Sequence, residues 1–209
     1  MSSQKRTYEL RQRAERQAAT RQRIAAATAE LHEEVGPART TVAEIARRAG
    51  VQRLTVYNNF PDERDLFAAC QHHWLAQNPP PAFAAALSSG SGRERLEGVL
   101  RDLYGWYRRT ERMSTNIRRD RELLPALDEL MIETSDARLT VLVDALVSSL
   151  GARAPGRREQ RAVLALTLDF WTWRRLKREG LDDASAARLM ATAVQAAGSV
   201  SQTTAPPPG

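Results

Sequence analysis

The chain has 209 residues, about one to one and a half usual domains, which leaves room for one compact body or two small ones and excludes a large multidomain enzyme. Hydrophobic residues make up 42% and charged residues 27%, a balance that excludes a fibre and a wholly disordered chain. Basic side chains outnumber acidic ones 31 to 25, and the surplus sits at the front: residues 1–23 carry Lys5, Arg6, Arg11, Arg13, Arg16, Arg21 and Arg23 against Glu9 and Glu15. A cationic leader on a nearly neutral body suits phosphate or an anionic surface, or serves only as a solvated helix face. No run approaches the roughly 20 apolar residues of a bilayer span, and the arginine-rich start lacks the apolar segment of a secretory signal. The expected place is the cytoplasm, with no membrane partner. Cys70 has no second cysteine to pair with, and with His32, His72 and His73 it makes too poor a set for structural zinc, so neither metal nor cofactor is expected.

Taken in order, the chain reads as helix throughout, with no sustained alternation and no Asn-Gly or Asp-Gly hairpin turn. Residues 1–20 form a basic extension for which a solvated, disordered leader is the default; the other readings are an extended first helix or an arm reaching phosphates or a minor groove. Ile24, Thr28, Leu31 and Val35 form one stripe of a helix that Gly36-Pro37 stops. Thr41 and Glu44 predict a capping box opening a short helix with Ile45, Ala46 and Ala49 inward, and Gly50 suits its left-handed end. A second short helix runs from Arg53 to Phe60, closed by Pro61, and Asp62 caps a longer one through Leu66, Phe67, Cys70 and Trp74 to about Gln77.

Asn78-Pro79-Pro80-Pro81 and the Ser/Gly run 88–92 break the chain around a short piece over 82–87. Leu96, Val99, Leu100, Leu103 and Tyr107 define the next helix; Pro125 starts a long one reaching Gly151; 153–158 reads as a loop. The last helices are Glu159 to Glu179 and Ala184 to Ala197, and residues 199–209 read as a disordered tail. The resulting division is a basic extension over 1–20, a front domain over 21–67, a rear domain over 68–198, and the tail.

Two short helices around a glycine turn are the layout of a helix-turn-helix, in which small residues such as Ala46 and Ala49 let the pair cross and Val51 and Val56 plug the core. The run Thr41-Val42-Ala43-Glu44-Ile45-Ala46-Arg47-Arg48-Ala49-Gly50-Val51, then Thr55-Val56-Tyr57-Asn58-Asn59-Phe60-Pro61 and Leu66-Phe67, resembles the DNA-binding domain of the TetR family, with similarity over about residues 16–70. The resemblance implies an all-α homodimer in which three N-terminal helices bind a double-stranded DNA operator. A rear helical bundle would hold a small-molecule effector and dimerise through its last two helices. The implied activity is transcriptional regulation, a repressor released from its operator by the effector, and not catalysis.

By the same resemblance Thr41 meets phosphate at a helix start, Arg53, Thr55 and Asn58 face base edges or adjacent phosphates, and Tyr57 with Asn59 clamps phosphate. Three positions depart from the family pattern. Gln52 stands where a serine usually caps, Leu54 where a small residue is usual, and Glu63 where a phosphate-binding lysine is common. Leu54 is then expected at a thymine methyl, and Arg64 in place of the lysine. Read without the resemblance, Tyr57 and Phe60 are core, Asn58 and Asn59 a frayed helix end, and Thr41 only a cap.

In the rear domain Trp74, Leu103, Tyr104, Trp106, Tyr107 and Met113 are the expected pocket residues, with Tyr104 and Tyr107 on one helix face and Trp106 on another. The expected dimer seam is Leu166, Phe170, Trp173 and Leu176 with Ala187, Met190 and Val194. Two rivals stand beside this reading: a helical interaction protein with a degenerate helix-turn-helix, and a helical-bundle enzyme, for which no phosphate loop, nucleophile elbow or Cys-His pair with an orienting carboxylate is found.

Overall fold

The computed structural model describes residues 2–88, 90–150 and 156–199, with residues 2–6 as backbone alone. Among them are twelve α-helices and no strand. The chain divides into two compact units, one of residues up to Pro79 with Arg112–Met131, the other of Pro80–Glu111 with the residues from Ile132 on. The front unit therefore takes in a piece of chain, Arg112–Met131, that the sequence alone assigned to the rear.

Helix α1 (Ser2–Glu34) is continuous, so the expectation of a disordered leader is corrected. It contains neither glycine nor proline and is rich in alanine, arginine, glutamine and glutamate, all strong helix formers. Its later turns bury Ile24, Ala27 and Leu31 against α2 (Val42–Ala49), α3 (Arg53–Asn59) and the start of α4 (Glu63–Gln77), where Ile45, Ala46, Ala49, Val56, Phe60 and Leu66 complete one core. Val35, expected on the buried stripe, is exposed beyond it.

The front unit is closed by α7 (Glu111–Asp120), a 3-10 turn over Arg121–Leu123, and α8 (Pro125–Met131). Leu127, Leu130 and Met131 of α8 pack on Phe67 of α4. The last carbonyls of a helix have no partner within it, and α7 supplies them for α1. Asn116 Nδ2 donates to the His32 and Glu33 carbonyls at 3.0 and 2.9 Å, Arg112 to the Glu34 carbonyl at 3.1 Å, and Arg119 to the Val35 carbonyl at 3.2 Å. Asp120 accepts the Ala38 N–H at 3.0 Å across the turn in which Gly36 takes a left-handed φ of 96°. A Cβ on Gly36 would be strained at that φ and would also push aside the ends of the Arg119 and Asp120 side chains.

In the rear unit α5 (Ala84–Ser88) is followed by α6 (Gly92–Arg109), which opens on a full capping box of Ser91 and Glu94. The long helix expected from Pro125 to Gly151 is α8, a π-turn over Ile132–Asp136, and α9 (Ala137–Leu150), so the division between units falls at the π-turn. The expected helix 159–179 is also two, α10 (Arg157–Leu168) and α11 (Phe170–Arg178). Asp169 between them caps α11 by accepting the Trp171 and Thr172 N–H groups at 2.8 and 3.0 Å. Helix α12 (Asp183–Ser199) packs on α6 and α10. The expected tail lies, from residue 200, outside the described residues, as do 153–155 of the expected loop.

His32 is buried beside Cys70, Nδ1 to Sγ 3.5 Å, with its ring 5.7 Å from that of Phe67. Loss of hydration lowers its pKa to about 4, against a weaker pull upward from the Asp120 carboxylate. Two stability measurements check this packing. The unfolded chain protonates His32 near 6.5, before the folded one does, so the stability the neutral ring supplies is full above pH 6.5 and falls by about 3 kcal/mol as pH drops to 4. Urea melts across that range should show the loss, and His32→Gln should flatten it; an unchanged slope in the variant overturns the assignment. Asn116→Ala, which strips two donors from the end of α1, should cost about 2 kcal/mol in the same assay.

Candidate nucleic-acid interface

Thr41 opens α2 with its Oγ1 accepting the Glu44 N–H at 3.2 Å. The reciprocal half of the expected capping box is replaced, because the Glu44 carboxylate is paired with Arg47. Gly50 ends the helix at φ 64°, and the Val51 N–H reaches back to the Ala46 carbonyl at 2.9 Å, fixing the turn into α3. Gln52 precedes α3 without a side-chain capping bond, as befits a residue in place of serine.

Helix α3 has two unlike sides. Val56 is sealed in the core, while Arg53, Leu54, Tyr57 and Asn58, at i, i+1, i+4 and i+5, cover one continuous outer arc. Leu54 is 65% exposed and Tyr57 54%, large apolar surface on a helix that otherwise shows polar groups. Among the described residues neither Arg53 nor Tyr57 has a side-chain partner, which leaves a guanidinium and a phenol free to take ligands. On α2, by contrast, Arg48 is held by Glu34 at 2.7 Å and Glu30 at 3.3 Å, and Arg47 by Glu44.

One expected contact is corrected. Asn59 is 9% exposed; its Nδ2 donates to the Thr55 carbonyl at 2.8 Å and its Oδ1 is buried without a partner, so it faces the core and not a phosphate. Thr55 is half-buried on the flank of the arc. The position of Asn59 one step past Asn58 on a 100° helical rotation separates their fates. Arg64 is half-buried beside the Asp62 cap, whose Oδ1 accepts its N–H at 2.9 Å. Arg21, read in the sequence only as part of the basic leader, proves to be a positioning residue. Its guanidinium donates to the Asn59 carbonyl and lies 4.1 Å from the Phe60 ring centre, tying α1 to the end of α3. No signal in the sequence separates it from its arginine neighbours.

The expected pocket residues are distributed differently from the sequence reading. Leu103, Tyr104 and Tyr107 are buried in the core of the rear unit. The two tyrosine hydroxyls donate to the last carbonyls of α10, Tyr104 to Thr167 at 2.8 Å and Tyr107 to Leu168 at 2.7 Å, so they close the end of a helix. Trp106 is half-buried at the edge of that core. Trp74 and Met113 pack with Ala29 and Cys70 in the front unit. The six are thus divided between the two units.

The expected seam is corrected as well. Phe170, Trp173, Ala187, Met190 and Val194 are core residues of the rear unit itself, Trp173 Nε1 bonding Asp183 at 3.1 Å, and Leu176 packs at the margin. Leu166 alone of the set is well exposed, at 57%.

A model of the bacterial regulatory proteins of the tetR family matches residues 24–70. Helix-turn-helix-type transcriptional regulators of Mycobacterium tuberculosis H37Rv and Mycobacterium bovis are 51% identical over 47 residues, 22% of this chain and 25% of theirs. The match thus spans about a quarter of the length of those relatives. A TetR-like transcriptional regulator from Rhodococcus sp. RHA1 shares the fold with a TM-score of 0.58 over 85% of this chain and 94% of that one, at 19% identity. A second regulator of the same organism does so with 0.58 over 84% and 96%, at 21% identity.

Fold and outer arc together define an all-α helix-turn-helix protein with a helical rear bundle. Over Ile24 to Cys70 the chain is similar to the tetR family of bacterial regulatory proteins.

The inward and outward sides of α3 give opposite expectations. Tyr57→Ala should leave unfolding free energy within about 0.5 kcal/mol of the parent. Asn59→Asp, which sets an anionic oxygen against the Thr55 carbonyl in a buried place, should lose about 2–3 kcal/mol by the same urea titration.

Proposed function

We propose that the chain is a homodimeric transcriptional regulator that reads a double-stranded DNA operator with the outer arc of α3 and leaves it when a small molecule enters the rear unit. One observation carries the reading: Arg53, Leu54, Tyr57 and Asn58 project together from a helix whose other side is locked into the core. Arginine suits the two acceptors of guanine, asparagine the acceptor and donor of adenine, leucine the thymine methyl, and tyrosine a phosphate. Catalysis has no comparable support. The Cys70 thiol is pushed up to about 12 by burial and stays protonated, which removes it as a nucleophile.

The pairing surface is reassigned to side chains that remain free. Ala162, Ala165 and Leu166 lie exposed on α10, and Leu189 and Ala196 on α12, the small residues allowing close approach of helices from a second copy. Two copies would present two recognition helices to half-sites one turn of DNA, about 34 Å, apart.

Selection from a random duplex pool should enrich a palindromic sequence, and binding to it should weaken steeply with salt. Arg53→Ala should relax preference at one base pair by about 1–3 kcal/mol, and Tyr57→Ala should weaken binding to all sequences. Sedimentation should give a dimer that Leu166→Glu with Leu189→Glu converts to a helical monomer. Failure of any sequence to enrich overturns the regulator reading.

A further inference from the structure

The first five turns of α1 do something the core does not require. From Ser2 to Thr20 the helix runs about 28 Å, and residues 7–19 are exposed save Gln12, which is half-buried. An isolated helix of that length is marginal in water, and this one persists because the packed turns after Arg21 serve as its nucleus. The stripe that faces the helix-turn-helix can be followed outward. Leu31, Ala27 and Ile24 pack against Ile45, Ala46, Val56 and Phe60, and the same 3.6-residue register then passes through Thr20 to Arg16 and Arg13, with Arg23 at its flank. Where the domain stops covering it, the stripe changes from apolar to arginine.

Among the described residues Arg13, Arg16 and Arg23 form no ion pair, whereas Arg11 on the opposite side is neutralised by Glu15 at 2.9 Å. Glu9, at the far end, is the acidic side chain of that stripe. The rod also has a fixed origin. Arg21 ties it to the carbonyl of Asn59, so it leaves the domain beside the last residue of α3.

We propose that this rod is a second DNA contact: Arg13, Arg16 and Arg23 bind backbone phosphates of the duplex flanking the base pairs that α3 reads. The inference rests on the regulator reading for its specific site, but its charge argument applies to any duplex. Charge complementarity and continuity with the α3 surface favour DNA over a second protein, and about 28 Å spans roughly eight phosphates of one strand.

The test uses the full chain and two probes: the duplex selected from the random pool, with flanks of 12 base pairs or trimmed to the core site, and a 40-base-pair duplex of arbitrary sequence. Arg13→Ala with Arg16→Ala should weaken binding to the long duplex about tenfold, reduce the salt slope by about 2, and shorten the hydroxyl-radical footprint at its outer edges. Trimming the flanks should abolish the difference from the parent. Arg157→Ala with Arg158→Ala, two exposed arginines of α10, should change neither quantity. Circular dichroism should show equal helix content throughout, since all four side chains are exposed. Equal affinity and salt slope for the Arg13/Arg16 variant on both long duplexes overturns the proposal while leaving the α3 reading intact. Failure of the pool to enrich sinks that reading instead, and the arbitrary duplex still decides the rod. Vesicles of phosphatidylserine and phosphatidylcholine are the last arm: binding that exceeds that of the duplex and is lost in the same variant overturns DNA as the partner.

Discussion

A helix of seven residues has no stability of its own, and α3 exists because one side of it is anchored. Val56 is sealed against Ile24 and Ile45, Phe60 closes the same core, and Arg21 holds the Asn59 carbonyl while covering the Phe60 ring. Everything the front unit does with its outer arc depends on that inner side. The buried Asn59 follows from the same constraint: the residue that ends so short a helix must satisfy the loose backbone around it, and its amide takes the Thr55 carbonyl.

The anchoring is continued by α7. Helix α1 carries α3 at its middle turns and is gripped at its C-terminal end by Arg112, Asn116, Arg119 and Asp120. These are hydrogen bonds to backbone, so they fix the axis of α1 whichever side chains it bears. Thr110 alone separates α7 from α6 in sequence, and α6 contributes Leu96 to Tyr107 to the rear core. Carbonyls at a helix end have no neighbouring turn to satisfy them, so this grip is not easily replaced.

The front of the protein was largely legible in the sequence because its signals are local. Gly50, the Thr41 cap, the Asp62 cap and the Ile45–Ala46–Ala49 face each depend on residues within one turn, and each is found where the spacing puts it. The helical character of the rear was equally legible from periodicity. What the spacing left hidden is tertiary. Residues 112–131 carry no mark of belonging with the front unit, since the partners of Asn116 and Arg119 are backbone groups about eighty residues earlier in the chain. Asn58 and Asn59 differ only in helical phase, which a boundary error of one residue would reverse.

The aromatic residues of the rear misled for a physical reason. A tyrosine offers a large apolar ring and one hydroxyl, so it suits a ligand pocket and a helix end equally well. Helix α10 stops at Asp169 and leaves the Thr167 and Leu168 carbonyls inside the bundle, where no water reaches them; Tyr104 and Tyr107 stand one turn apart on α6 at the two places that satisfy them. Asp169 in turn starts α11 and so swings Phe170 and Trp173 onto the Tyr107 ring, Phe170 edge-on at 5.3 Å and Trp173 tilted at 5.8 Å. The break, the tyrosines and the buried tryptophan are one arrangement, and it draws the apolar bulk of α11 into the core of the rear unit.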